Sequence, residues 1–393
     1  MKKKFKFIDL FAGIGGFHQA MTQLGGECVF ASEIDPYAIE TYFKNYGINS
    51  ECNIRNVKVE NIPKHDVLCA GFPCQAFSKA GHQKGFKDET KGTLFFEIER
   101  ILNYHKTKYI ILENVKNLLT HDHGRTWKVI YKHLKQIGYR LTEKPIVLSP
   151  HELGIPQLRD RVVILGIYDP DNKKKDLKIE FDNLKTKQDN DIFNIIERKK
   201  VSKKYYISEH EKYVLNAWDE FYNGINDKII GFPIWYDYFK KKPETKMPNW
   251  KKEFIRKNNE LYKRNKDFID TWAKKYNYLS EFNKTQRKFE WQCGKEITSL
   301  WDGIIQFRPS GIRVKNTNCF PALVALVQIP IIGKYRRRLT VREAARLQSF
   351  PDAFVCNQCD QQAYKQFGNA VNVEVIKQSF EKLINYKEEQ LNE

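Results

Sequence analysis

Long apolar runs are scarce in this sequence. The longest, Cys319 to Ile332, falls short of the roughly 20 residues that a membrane-spanning helix needs, and Pro321, Gln328 and Pro330 interrupt it. No membrane association is expected. The start, Met1-Lys2-Lys3-Lys4, has the charge of a secretion signal, but Asp9 breaks the apolar segment that should follow and no small-residue cleavage pattern appears. The eight cysteines have no regular spacing, which argues against a disulfide framework and suits a reducing cytoplasm. Cys356-Asn357-Gln358-Cys359 has the spacing of two metal ligands without a second pair, so no metal is expected. Acids are outnumbered: 48 Asp and Glu against 67 Lys and Arg leave a formal charge of +19. Such a field gathers polyanions, and nucleic acid is the expected partner. Internal repeats and low-complexity linkers are also missing, and 393 residues suffice for two or more domains.

What is present in the first third is alternation. Strand-like runs at Phe5 to Phe11, Cys28 to Ser32, Val67 to Ala70, Tyr109 to Glu113 and Val162 to Ile167 are separated by helical stretches such as Leu94 to Tyr104 and Trp127 to Ile137. This pattern predicts an α/β fold, a doubly wound and mostly parallel sheet covered on both faces, with ligands at the carboxyl ends of the strands. After about Asp169 the sequence becomes basic and weakly periodic, with Lys173-Lys174-Lys175, Lys199-Lys200 and Lys240-Lys241-Lys242. From Tyr205 to Trp301 aromatics are interleaved, among them Trp218, Trp235, Trp250, Trp272, Trp291 and Trp301. Basic and aromatic residues together grip phosphates and stack on bases, although roughly two-thirds of these aromatics are expected in a core. The helical period returns at Thr340 to Gln348, where Thr340 and Glu343 have capping-box spacing, and a last helix begins near Val373.

Phe7 to Gly16 reads as a buried strand, a glycine turn and a helix start, an arrangement that admits a ligand close to the backbone. A plain structural turn would look the same. His18 occupies the place of the third glycine of a dinucleotide fingerprint, which counts against a nicotinamide enzyme. Glu33, after the second strand, is where a carboxylate would accept hydrogen bonds from ribose hydroxyls. Ala70 to Ser78 places Cys74 directly after a strand, where chemistry is expected, whereas a lone cysteine is more often a buried spacer.

Context decides between these. Phe11-Ala12-Gly13, Pro73-Cys74-Gln75, Glu113-Asn114-Val115, Gln157 to Arg161, Arg342 to Gln348 and Gly368-Asn369-Ala370-Val371 occur in the order found in the carbon-5 cytosine methyltransferases of DNA, bacterial and phage type, which this chain resembles over residues 5 to about 168 and 339 to 393. The resemblance implies a Rossmann-like catalytic domain at residues 1–183 and 362–393. A smaller target-recognition domain would occupy 184–361, including a hinge motif near 339–351. It implies S-adenosylmethionine as methyl donor, held by Phe11, Gly13, Gly15, Glu33, Ile34, Asp66, Pro73, Asn369 and Val371. Cys74 would add to carbon 6 of the base, because carbon 5 is too electron-poor to attack a sulfonium methyl unaided. Glu113 would protonate ring nitrogen 3, while Arg159 and Arg161, two apart and on one face of an extended segment, would orient Glu113 and bind the cytosine carbonyl. Gln75, Ser78 and Arg342 would touch DNA, and residues 79–93 would close over a flipped base. Double-stranded DNA is the implied partner, met as a monomer, with a restriction endonuclease acting separately.

Three other readings compete. A transfer-RNA cytosine methyltransferase keeps the same motifs but has a reduced region where this chain carries its long basic insert. A catalytically inactive DNA-binding relative would not need Cys74, Glu113, Arg159 and Arg161 together. Amino-group methylation calls for an Asp/Asn/Ser-Pro-Pro-aromatic segment, which the sequence lacks.

Overall fold

The computed structural model describes residues 4–72, 94–173, 175–181, 190–228, 231–318, 320–323 and 328–392. In chain order the elements begin β1 (Phe5–Leu10), α1 (Gly16–Gln23), β2 (Gly26–Ser32), α2 (Pro36–Tyr46), β3 (Val67–Gly71), α3 (Leu94–His105), β4 (Tyr109–Val115) and α4 (Arg125–Ile137). Then come β5 (Tyr139–Leu141), β6 (Ile146–Leu148), β7 (Gln157–Leu158), β8 (Arg161–Tyr168), α5 (Glu209–Gly224), β9 (Ile234–Trp235), α6 (Asn249–Arg264) and α7 (Lys266–Lys275). The remainder is β10 (Lys288–Gln292), β11 (Ile304–Arg308), β12 (Gly311–Lys315), β13 (Phe320–Pro321), β14 (Ile331–Ile332), β15 (Arg337–Arg338), α8 (Val341–Leu347), α9 (Asp360–Asn369) and α10 (Val373–Asn392). The chain divides into two units, Met1–Asp189 with Ala322–Ala325 and Ala344–Glu393, and Asn190–Pro321 with Leu326–Glu343.

The first unit is the α/β fold that the alternation predicts. Its seven-stranded sheet has the order β2-β1-β3-β4-β8-β5, with β6 also on β8. The pairs β1–β2, β1–β3 and β3–β4 are parallel, whereas β8 runs against β4, β5 and β6. Because β1 leads to β2 on one side and β3 lies on the other, the strand order reverses at β1, the place where such sheets open a crevice at their carboxyl ends. Phe7, Ile8 and Leu10 of β1 and Ile110, Ile111 and Leu112 of β4 are all buried, as expected of strands covered on both faces. Helix α2 starts cleanly because Asp35 accepts from the amides of Tyr37 and Ala38, with Pro36 at its first position. Residues 344–361, expected with the second domain, pack in this unit: Phe350 and Phe354 lie against Phe367 at 5.5 and 6.1 Å between ring centroids.

The second unit holds a six-stranded sheet of order β15-β14-β11-β12-β10-β9. Its core is aromatic. Trp218 stacks on Phe289 at 5.1 Å and donates its indole N–H to Gln286 O, and Trp272 donates to Ala217 O. Trp218, Trp272 and Trp291 are buried, whereas Trp250 is 58% exposed. Thr340 and Glu343 form the expected capping box, with Thr340 N donating to Glu343 Oε2 at 2.8 Å and Glu343 N to Thr340 Oγ1 at 3.2 Å.

Candidate active site

The carboxyl ends of β1, β2, β3 and β4 surround a cavity of about 560 Å³ in the first unit. Phe11, Gly13, Glu33, Gly71, Glu113, Arg159, Arg161 and Asn369 are in its wall. Residues far apart in sequence are thus gathered around one space, by the strand order and by the packing of the segment that ends in Asn369.

At one end lies the turn after β1. Phe11 and Gly13 take left-handed backbone angles, φ 56° and 55°, the first a strained conformation for a bulky residue. Gly15 is also left-handed, at φ 84°, and a Cβ there would meet Tyr46 at 2.3 Å, so Gly15 shapes the turn from behind instead of lining the cavity. Glu33 fastens the turn: Gly13 N donates to its Oε2 at 2.8 Å, and the amides of Ile34 and Asp35 donate to Oε1 at 2.7 and 2.9 Å. Three of the carboxylate's roughly four acceptor positions are thereby filled, leaving about one for a hydroxyl. Ile34 is 71% exposed beside it.

Under the turn sits a buried acid within β1. Asp9 in β1 is fully buried and its carboxyl is held well above the usual range, chiefly by burial. The nearby His18 is bonded to Tyr42 through Nδ1 at 2.7 Å, stacks on Tyr46 at 3.8 Å, and has its pKa pushed down to about 4 by burial. Tyr46 Oη in turn donates to Gly15 O at 3.0 Å.

At the other end, Glu113 at the end of β4 meets Arg161 at the start of β8. The antiparallel pairing of β4 with β8, which sets Arg161 opposite Val115, two residues from Glu113, brings Arg161 Nε to 3.0 Å from Glu113 Oε1. Burial pushes the Glu113 carboxyl up, and the charges of Arg161 and Arg159 pull it back part of the way. Asn114 points elsewhere, donating to Phe72 O at 2.7 Å, and so fixes the last described residue before Pro73.

Arg159 is buried and its guanidinium is divided among three carbonyls, Leu323 O at 3.0 Å, Gly368 O at 2.9 Å and Ala370 O at 3.0 Å. Burial and the charge of Arg161 push its pKa down to about 9, still above neutrality. It therefore bolts the Gly368 to Ala370 segment to the cavity wall. Val371 packs behind, where a Cβ on Gly16 would lie 2.6 Å from its Cγ2.

Not every expected residue joins this space. Asp66 precedes β3, at the opposite end of the sheet, where it accepts from Lys6 N at 2.9 Å and lines a separate cavity with His65 and His105. Arg342 lies on α8 in the second unit, and Pro73, Cys74, Gln75 and Ser78 lie outside the described residues. The cavity adds Asn114 and Val115, which sequence reading quoted in a motif without giving them a role, and Asp35, Lys365 and Gln366, which it did not choose as site residues. Lys365 Nζ is 3.2 Å from Asp35 Oδ2. Its position in the segment leading to Gly368-Asn369 was the available signal. Among the described residues, no group of three or more His, Cys, Asp or Glu is arranged to hold a metal, and no helix is long and apolar enough to cross a membrane.

Residues 5–385 match the family model described as C-5 cytosine-specific DNA methylase. The chain belongs to this family. It is similar to the Type II methyltransferase M.NlaX of Neisseria lactamica, 37% identical over 95% of this chain and 94% of the relative, and to M.AluI of Cellulosimicrobium cellulans, 31% identical over 95% and 91%. The fold is shared with the crystal structure of S. pombe Dnmt2 methyltransferase, at a TM-score of 0.54 and 17% identity over 98% of this chain and 99% of the other. The protein is thus a DNA (cytosine-5-)-methyltransferase of restriction-modification type, from a family that generally uses S-adenosylmethionine.

Proposed function

We propose that this chain methylates carbon 5 of cytosine within a specific double-stranded DNA sequence, acting on a flipped-out base through a transient bond to Cys74. One observation carries the reading: the Glu113–Arg161 pair and the Glu33-fastened glycine turn face the same cavity. The groups suited to activating a base and those suited to a nucleoside cofactor therefore share one space.

The wall fits S-adenosylmethionine. Glu33 keeps an acceptor position for a ribose hydroxyl, and a side chain at Gly13 would project where nothing lies within 4 Å, space that a ligand can use. Phe11, Ile34, Pro73, Asn369 and Val371 complete the proposed cofactor set, with Gly15 shaping the turn; Asp66 is left out because of its place at the far end of the sheet. When bound, the cofactor supplies an electrophilic methyl carbon. The Cys74 thiolate adds to carbon 6, which moves electron density to carbon 5 and ring nitrogen 3. Glu113, raised by burial, donates its proton to nitrogen 3, and Arg161 holds the carboxyl in place. Once carbon 5 carries the methyl group, water takes the carbon-5 proton, the carbon 6–sulfur bond breaks to release the thiolate, and the proton on nitrogen 3 returns to Glu113, so that the ring recovers its aromaticity. Extrusion of the base costs a few kcal/mol of stacking and pairing. Residues 79–93, with Gln75 and Ser78, close over it, and the second unit, with Arg342 on α8, reads the DNA. The enzyme acts as a monomer in the cytoplasm, alongside a separate restriction endonuclease.

Incubation with double-stranded genomic DNA and methyl-labelled cofactor, followed by nucleoside analysis and sequencing, tests this. Label is expected in 5-methylcytosine at one recurring sequence. Label on an exocyclic amino group, or in transfer RNA and not in DNA, contradicts the reading.

A further inference from the structure

The second unit carries a densely basic exposed surface. Between Arg198 and Tyr206 stand five cations, Arg198, Lys199, Lys200, Lys203 and Lys204, with no acid among them, and all five are exposed. A charge run in a slack loop would be an ordinary solvated face. This one is anchored at both ends.

At its start, Glu197 N donates to Glu343 Oε1 at 2.8 Å, and Thr340 Oγ1 donates to Glu197 Oε2 at 2.7 Å. Glu343 is itself buried in a two-pronged ion pair with Arg337, at 2.7 and 2.8 Å. At its end, Tyr206 bridges to Arg337, and Ile207 N donates to Arg336 O at 3.2 Å. The segment is therefore laid along the turn at Gly333–Arg336. That turn adds cations of its own: Lys334 lies over the Phe193 ring at 4.9 Å, and Arg336 lies over the Trp301 ring at 4.6 Å. Arg336 holds a left-handed backbone, φ 48°, and with it the chain keeps Lys334 and Arg336 exposed while the next residue, Arg337, is turned into the core. Cations on two clamped strands of chain, with aromatic rings beneath two of them, form a fixed platform.

We propose that this platform binds backbone phosphates of the double-stranded DNA substrate, fixing how the duplex lies without reading its sequence. The proposal rests on the DNA-methylating function given above. Fixed cations release counterions when they meet phosphates, so each contact contributes about 0.9 to the slope of log affinity against log salt.

The test measures binding of a random-sequence duplex by fluorescence anisotropy across a salt series, for wild type, for Lys199→Gln/Lys200→Gln/Lys203→Gln/Lys204→Gln and for Lys334→Gln/Arg336→Gln. A control, Lys263→Gln/Lys274→Gln, removes exposed charge elsewhere in the same unit. Thermal melts establish that each variant folds. The platform variants are expected to lose affinity at least tenfold at physiological salt, with the slope reduced by about 2 to 4, while the control keeps the wild-type slope. An unchanged slope in the platform variants, or an equal loss in the control, overturns the platform while wild type still produces 5-methylcytosine. Loss of binding to structured RNA or to anionic vesicles with duplex binding intact also overturns it. Wild type that makes no 5-methylcytosine in DNA brings down the functional reading and the platform with it.

Discussion

Glu113 is where opposing effects meet most directly. Burial favours its neutral form and the two arginines favour its charged form, with burial the larger, so the carboxyl keeps its proton to higher pH than an exposed acid would. A group that must donate a proton is active below its raised pKa and loses that activity as pH rises through it. Glu113→Gln should keep the fold yet lower kcat by roughly 10²- to 10⁴-fold and flatten the alkaline limb of the pH profile; an undiminished rate would remove Glu113 from the mechanism. His18 behaves in the opposite sense. Its folded-state pKa lies below the ordinary value, so its contribution to stability is complete above pH 6.5 and is lost as pH falls through about 4. A fall from 6.5 to about 4 corresponds to roughly 3 kcal/mol at the limit. Urea denaturation at pH 7 and pH 4.5 should therefore show a smaller acid loss in His18→Gln than in wild type, and equal losses would contradict the account.

Among the elements, the strand ends decide what meets. The alternation of buried runs and helices made the α/β sheet legible in the sequence, but a fully buried strand such as β8 has the same apolar pattern in either direction. Its reversal is what sets Arg161 against Glu113. Asp66 was read as a site residue because it stands beside the strand leading to Cys74, yet sequence proximity does not say which end of a strand a residue occupies. Glu33, Gly13 and Asn369 were legible because each follows a strand or belongs to a motif. Lys365 and Gln366 were not, since only tertiary packing brings them to the cavity. Arg159 was expected to serve the substrate, but its three carbonyl partners assign it a fastening role between the end of β7, Leu323 and the C-terminal end of α9. Arg159→Met should leave those buried carbonyls unpaired and destabilise the enzyme by about 3 kcal/mol in urea denaturation, with weaker cofactor binding. Unchanged stability with a fall in kcat alone would return Arg159 to the chemistry.

For the whole molecule, the formal charge of +19 raises the local concentration of a polyanion such as DNA. Attraction of a polyanion by such a charge is screened by salt, so kcat/KM for DNA should fall several-fold between about 50 and 200 mM salt, while methyl transfer in a preformed complex should change little. Steady-state and single-turnover rates over that range provide the check, and equal sensitivity of both would place the charge in the chemical step. The proposed function requires the sulfur of Cys74 to bond to the base before methylation is complete. Fluorine at carbon 5 blocks proton loss and hence the release of the thiolate. A duplex bearing 5-fluorocytosine at the modified position, incubated with the enzyme and S-adenosylmethionine, should yield a denaturant-resistant protein–DNA adduct whose peptide map ends at Cys74, absent in Cys74→Ser. Methylation of ordinary DNA by Cys74→Ser at the wild-type rate, or an adduct on another residue, would contradict it.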